Sequence, residues 1–136
     1  MRVTLTRRGD YAVRAVYDVA LHHPERRKAS EIASDMAIPR GFVTQILAAL
    51  VQAGILEATA GRAGGYVLAG TPESLTLRQV VAAAEGEMTL DRCVLRGGPC
   101  DWDDRCPVHD VWAEAQRAFA ARLEATTFAS LVAPGR

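Results

Sequence analysis

The chain has 136 residues, enough for one small domain with an appended arm and too few for two separate cores. Its 16 basic and 16 acidic side chains cancel, yet residues 1–65 hold nine basic against six acidic while residues 66–136 hold seven against ten. A mildly basic front half accommodates a polyanion partner without defining one. Residues 1–10 lack the apolar core of a signal peptide and no run reaches the length of a membrane span, so a cytoplasmic protein with no membrane partner is expected.

From Thr6 to His22, Tyr11, Ala12, Ala15, Val16, Val19 and Ala20 recur at helical spacing, which predicts an amphipathic helix capped by Thr6 and stopped before Pro24. A polar connection follows, and Ser30 is expected to cap a short helix over 31–36. Pro39 then suits the start of a helix over 40–53, because its ring presets the first-turn geometry. Phe42, Ile46, Leu47 and Leu50 are its expected buried face. Arg40, Gly41, Thr44, Gln45 and Ala48 fall on the other side, and Gly54 stands where a left-handed residue ends helices.

Two short apolar runs, 55–59 and 65–69, flank "AGRAG" and predict a two-stranded hairpin with Arg62 near its tip. Helix, turn, helix and hairpin in that order describe a winged helix. In that arrangement the second helix of the pair reads a DNA groove while a cation on an open, glycine-rich tip contacts phosphate. Ser30, Arg40, Gly41, Thr44, Gln45, Arg62 and Gly64 are the candidate DNA-binding residues. A further helix is bounded by Thr76 and Gly86.

All three cysteines, Cys93, Cys100 and Cys106, lie in one stretch rich in Gly, Pro and Asp, with His109 three residues beyond the last. An odd count in a reducing compartment argues against a structural disulfide framework. Thiolates and an imidazole are the donors that iron-sulfur clusters and zinc accept. The intervals of six and five residues are wider than a zinc knuckle and suit something larger. Pro107 is expected at the first position of a last helix, so Cys106 and His109 would share its opening turn, where the helix dipole favours an anionic group. That helix carries Val108, Val111, Trp112, Ala115, Phe119 and Leu123 as one apolar stripe, for which a second copy of the chain is the expected cover. No oxyanion feature accompanies a cysteine and histidine pair, so an enzyme is not expected.

The segments "LTRRGDYAVRA", "SEIASDMAIPRGFVTQIL", "GRAGGYVL" and "CPVHDVW" together resemble the Rrf-two type family of dimeric winged-helix transcription regulators, over nearly the whole chain. The resemblance implies a homodimer on promoter DNA whose affinity follows the state of an iron-sulfur cluster sensing iron, redox state or nitric oxide. By motif position, Cys93, Cys100, Cys106 and His109 match the ligands of the family's 2Fe-2S branch. A 4Fe-4S branch lacks the histidine and uses a carboxylate from the other subunit's first helix, where Asp10 stands here. The wing reads Ala63-Gly64-Gly65 where three glycines are frequent, and Thr44 replaces a glutamate of the 2Fe-2S branch.

The expected fold is mainly α with a small β-hairpin. The expected division is a winged-helix DNA-binding domain over 1–86, a cluster-binding loop over 87–106, a dimerisation helix over 107–126 and a tail over 127–136. Two other readings stay open: a zinc-stabilised or metal-free regulator of the same fold answering another signal, and an interaction partner of the cluster-assembly machinery without DNA activity.

Overall fold

The computed structural model of the chain describes residues 3–88, 102 and 106–134. Helix α1 (Arg7–Leu21) starts where expected, with Thr6 Oγ1 accepting from the Gly9 amide at 3.3 Å. Ala12, Ala15, Val16, Val19 and Ala20 of its apolar stripe are buried. The next helix, α2 (Ala29–Asp35), begins earlier than the sequence indicates. Lys28 is its N-cap, and the Glu31 carboxylate reaches back to accept from the Lys28 amide at 2.9 Å. Ser30 therefore lies inside the helix rather than capping it. A carboxylate at the third helical position satisfies an otherwise orphaned donor as well as a serine cap does, which is why the cap moved.

The turn from α2 into α3 (Arg40–Gln52) is tight, with Ala37 at φ 54 and Pro39 as the N-cap. Val43, Ile46, Leu47 and Leu50 are buried. Phe42, expected in that set, is 42% exposed. At 3.6 residues per turn it falls on the flank of the helix, and the smaller Val43 takes the inward position. Gly54, at φ 77, ends the element in the left-handed conformation that a side chain resists.

The hairpin pairs β1 (Leu56–Thr59) with β2 (Gly65–Leu68) antiparallel, from Leu56 opposite Leu68 to Thr59 opposite Gly65. In the connection, Gly64 is buried, and a Cβ there would collide with the Thr59 carbonyl oxygen. The close return of the chain excludes any side chain at this position. A third, one-residue strand joins the hairpin, because Arg27 bridges Tyr66 with amide nitrogen to carbonyl oxygen distances of 3.0 and 2.8 Å.

Helix α4 (Leu77–Glu85) carries a reciprocal cap, with the Gln79 amide donating to Thr76 Oγ1 and the Thr76 amide to Gln79 Oε1, and it ends at Gly86. Its last residue, Glu85, accepts from the Thr6 amide at 2.8 Å and from the Thr6 hydroxyl, tying it to the start of α1. Helix α5 (His109–Glu124) starts two residues later than expected, so Pro107 lies in the turn before it.

In place of the expected tail, residues 128–132 form a further helix, α6 (Phe128–Val132), capped by Thr127. Phe128 is fully buried and belongs to the main core, and α6 packs on α1. Backbone bonds from Leu77 to Thr126 (2.8 Å) and from Phe128 to Leu75 (2.9 Å), with a bridge between Thr76 and Thr127, fasten this return to the first turn of α4. Among the described residues no helix is long and apolar enough to cross a membrane.

Candidate nucleic-acid interface and metal centre

Burial of the Val43, Ile46, Leu47 and Leu50 stripe fixes which side of α3 faces outward. Arg40, Gly41, Thr44, Gln45 and Ala48 are all exposed on it, as the sequence pattern requires. Arg62 in the hairpin connection is exposed too, and Ser30 lies on α2. Gly64 differs: it is buried, and its contribution is to shape the turn that presents Arg62. The outward side of α3 offers amide, hydroxyl and guanidinium donors, the groups that contact base edges and phosphates in a major groove.

Two features of this face are not evident in the sequence pattern. Phe42 meets Tyr11 of α1 with ring centroids 5.7 Å apart and planes at 50°, and the Arg14 guanidinium lies 5.9 Å from the Tyr11 ring centre. Arg14 also donates to Asp10 Oδ1 at 2.9 Å and to the Met36 carbonyl at 3.2 Å. The start of α3 is thus braced against α1 by an aromatic contact, and the turn before it by a guanidinium. The flank position of Phe42 on the helical wheel is the signal that could have exposed this contact.

The second feature is a buried ion cluster. Asp18 in α1 is 0% exposed and Arg27 is 9% exposed. The guanidinium donates to both Asp18 oxygens, at 2.9 and 3.1 Å, to Glu31 Oε2 at 3.2 Å, and to Asp35. Its pKa is raised further above the usual arginine range, chiefly by the hydrogen bond to Asp18, so the cation persists wherever the fold does. In the sequence Arg27 sits inside "ERRK", where nothing distinguishes it from its solvated neighbours.

Of the four expected metal donors, Cys93 and Cys100 lie outside the described residues. Cys106 is a free, half-buried thiol just ahead of α5, and His109 is the first residue of that helix and exposed. The His109 amide donates to the Cys106 carbonyl at 3.4 Å, so both side chains leave the same turn. Among the described residues no group of three or more Cys, His, Asp or Glu is positioned to hold a metal ion. A soft thiol and an imidazole on one turn are donors that suit an iron-sulfur cluster. Asp10, the alternative carboxylate, is half-buried and engaged with Arg14.

The apolar stripe of α5 is left outside the core. Val111 is 65% exposed and Phe119 45% exposed, and among the described residues of this helix Ala120 alone is buried.

A helix-turn-helix with an outward polar reading face, followed by a two-stranded wing, defines a winged-helix DNA-binding regulator. The sequence profile of the Rrf2 family, described as "Iron-dependent Transcriptional regulator", matches residues 5–134, and the chain belongs to that family. Members are transcription regulators rather than enzymes; they bind DNA and are typically dimeric. Over 129 residues the chain is 30% identical to the HTH-type transcriptional regulator IscR of Serratia proteamaculans, covering 94% of this chain and 78% of that protein. The IscR of Klebsiella pneumoniae is 29% identical over the same shares. Among solved structures, CymR, the global cysteine regulator of B. subtilis, matches with a TM-score of 0.80 at 21% identity, over 96% of this chain and 97% of that one. T. potens IscR matches with a TM-score of 0.74 at 23% identity, over 96% and 86%. At these identities the two structures attest the winged-helix fold.

Proposed function

We propose that this regulator is a cytoplasmic homodimer that binds promoter DNA through α3 and the wing, with its affinity set by an iron-sulfur cluster held in the cysteine segment. The observation that carries the proposal is the placement of Cys106 and His109 on one turn at the head of α5, the helix whose apolar stripe lies outside the core. Cys93 and Cys100 would complete the ligand set, which favours 2Fe-2S over 4Fe-4S. The engagement of Asp10 with Arg14 supports His109 as the fourth ligand. Bound there, such a cluster supplies one-electron redox chemistry and a reaction site for nitric oxide. His109 would supply a ring nitrogen to the set. The stripe of Val111, Trp112, Phe119 and Leu123 supports a dimer built along α5.

Anaerobically purified protein is expected to be coloured, with iron and sulfide in equal amount and an EPR signal after one-electron reduction. Cys106→Ser is expected to abolish the visible absorption while the far-UV circular dichroism remains helical. A colourless chain with stoichiometric zinc would replace this reading with that of a zinc-stabilised regulator. For the interface, Arg62→Ala is expected to weaken binding to duplex DNA and to lower the magnitude of the slope of log affinity against log salt by about 1 for each phosphate that the wing no longer neutralises. Fluorescence anisotropy across a salt series measures it, and an unchanged slope would remove the wing from the interface.

A further inference from the structure

We infer that Arg27 is the positioning residue for the wing: its buried guanidinium fixes the pose from which Arg62 reaches DNA. The inference rests on the wing reading above and deepens it. Two independent attachments meet at this residue. Its backbone pairs with Tyr66 in both directions, at 3.0 and 2.8 Å, making residue 27 an extra strand on β2. The approach is close enough that a Cβ on Gly65 would sit 2.8 Å from the Arg27 carbonyl oxygen. The side chain meanwhile forks onto both oxygens of Asp18 in α1 and extends to Glu31 and Asp35 in α2.

The base of the wing is therefore wired through one residue to both helices that precede the reading helix. Arg62 stands four positions before Tyr66 in the chain, so a small rotation at the Tyr66 bridge moves the tip by more than it moves the base. Hydrogen bonds to a planar fork fix orientation as well as distance, which a lysine ammonium cannot reproduce. Arg27 also has an electrostatic effect. Glu31 and Asp35 are 46% and 54% exposed at their side chains, and the guanidinium offsets part of the negative charge that they and Asp18 gather. Arg27→Lys retains the charge and removes the fork, separating geometry from electrostatics.

The test is a double-mutant cycle on a mixed-sequence DNA duplex, with Arg27→Lys and Arg62→Ala made singly and together and binding read by anisotropy at low salt. Amide hydrogen exchange of Arg27 and Tyr66 is followed beside that of Leu47 and Leu50. Arg62→Ala should weaken binding several-fold in the native background and by less than half that factor beside Arg27→Lys. Exchange should accelerate at Arg27 and Tyr66 and stay slow at Leu47 and Leu50. An equal Arg62→Ala factor in both backgrounds would overturn the inference, since the guanidinium would then be structural alone. If Arg62→Ala has no effect in the native chain, the wing contact fails, and Arg27 as its positioning residue fails with it. In that case faster exchange at Tyr66 would still show that the fork holds the wing base. Unchanged exchange at Tyr66 overturns the inference whatever the binding shows. Should Arg27→Lys not fold, Asp35→Asn, which spares the buried pair, takes its place with the same readouts.

Discussion

Phe128→Ala is expected to destabilise the fold by about 3–5 kcal/mol, the usual range for removing a large aromatic from a packed core. The ring is 0% exposed and belongs to the main core, and α6 packs on α1, so its removal loosens that packing. The hydrogen bond from its amide to the Leu75 carbonyl keeps α6 anchored while the ring is gone, which limits how far the site can collapse into the void. Urea unfolding at fixed protein concentration measures the change as a lower midpoint. A shift below about 1 kcal/mol would mean that α6 is dispensable to the core.

Asp18→Asn is expected to cost about 3 kcal/mol, the lower end of the range for removing one partner of a buried ion pair. The substitution conserves shape and removes the only fully buried carboxylate facing Arg27 among the described residues. Glu31 and Asp35 remain as partners, which is why the expected cost stays at the lower end. The pH dependence has a definite sign. Because the folded-state pKa of Arg27 is raised above its unfolded value, its contribution is complete below the ordinary arginine range and declines only as pH rises through the folded value. Titration of Arg27 therefore adds no slope to stability near neutral pH. Thermal denaturation of the native and Asp18→Asn chains across neutral pH checks both statements.

Much of the DNA-binding head was legible because its determinants are local. Thr6, Pro39, Gly54, Thr76 and Gly86 each act within a turn of where they stand, and the apolar spacing of α1 sets its buried side. The features that escaped depend on contacts distant in sequence or too short to show a period. Five residues of α6 cannot display helical spacing, and only the tertiary fold reveals that Phe128 plugs the core. Ser30 yields the cap to Lys28 because the Glu31 side chain, not the cap residue, makes the bond. Phe42 lies on the flank of α3, and the ring it meets there belongs to Tyr11 on another helix. Arg27 looked like one charge among several because Asp18 and Tyr66, which define its role, belong to other elements. Of the four expected metal donors, the sequence spacing joins Cys106 to His109 and the fold puts both on one turn. Cys93 and Cys100 lie beyond what the structure describes.

The fastening of Thr126 and Thr127 to the first turn of α4 brings the chain that follows α5 back to the helix that ends at Glu85, so the connection through α5 is anchored at both ends like a handle. Closing such a handle costs entropy once, when the domain folds, and lengthening it adds only slowly to that cost. A ligand that gathers donors from within the handle begins from a chain already joined at both ends, and takes away less freedom on binding than it would from a loose terminus. The same closure gives any tightening of the handle two places to pull. One is the junction where Glu85 meets the head of α1, and the other is the seam where Thr127 meets Thr76.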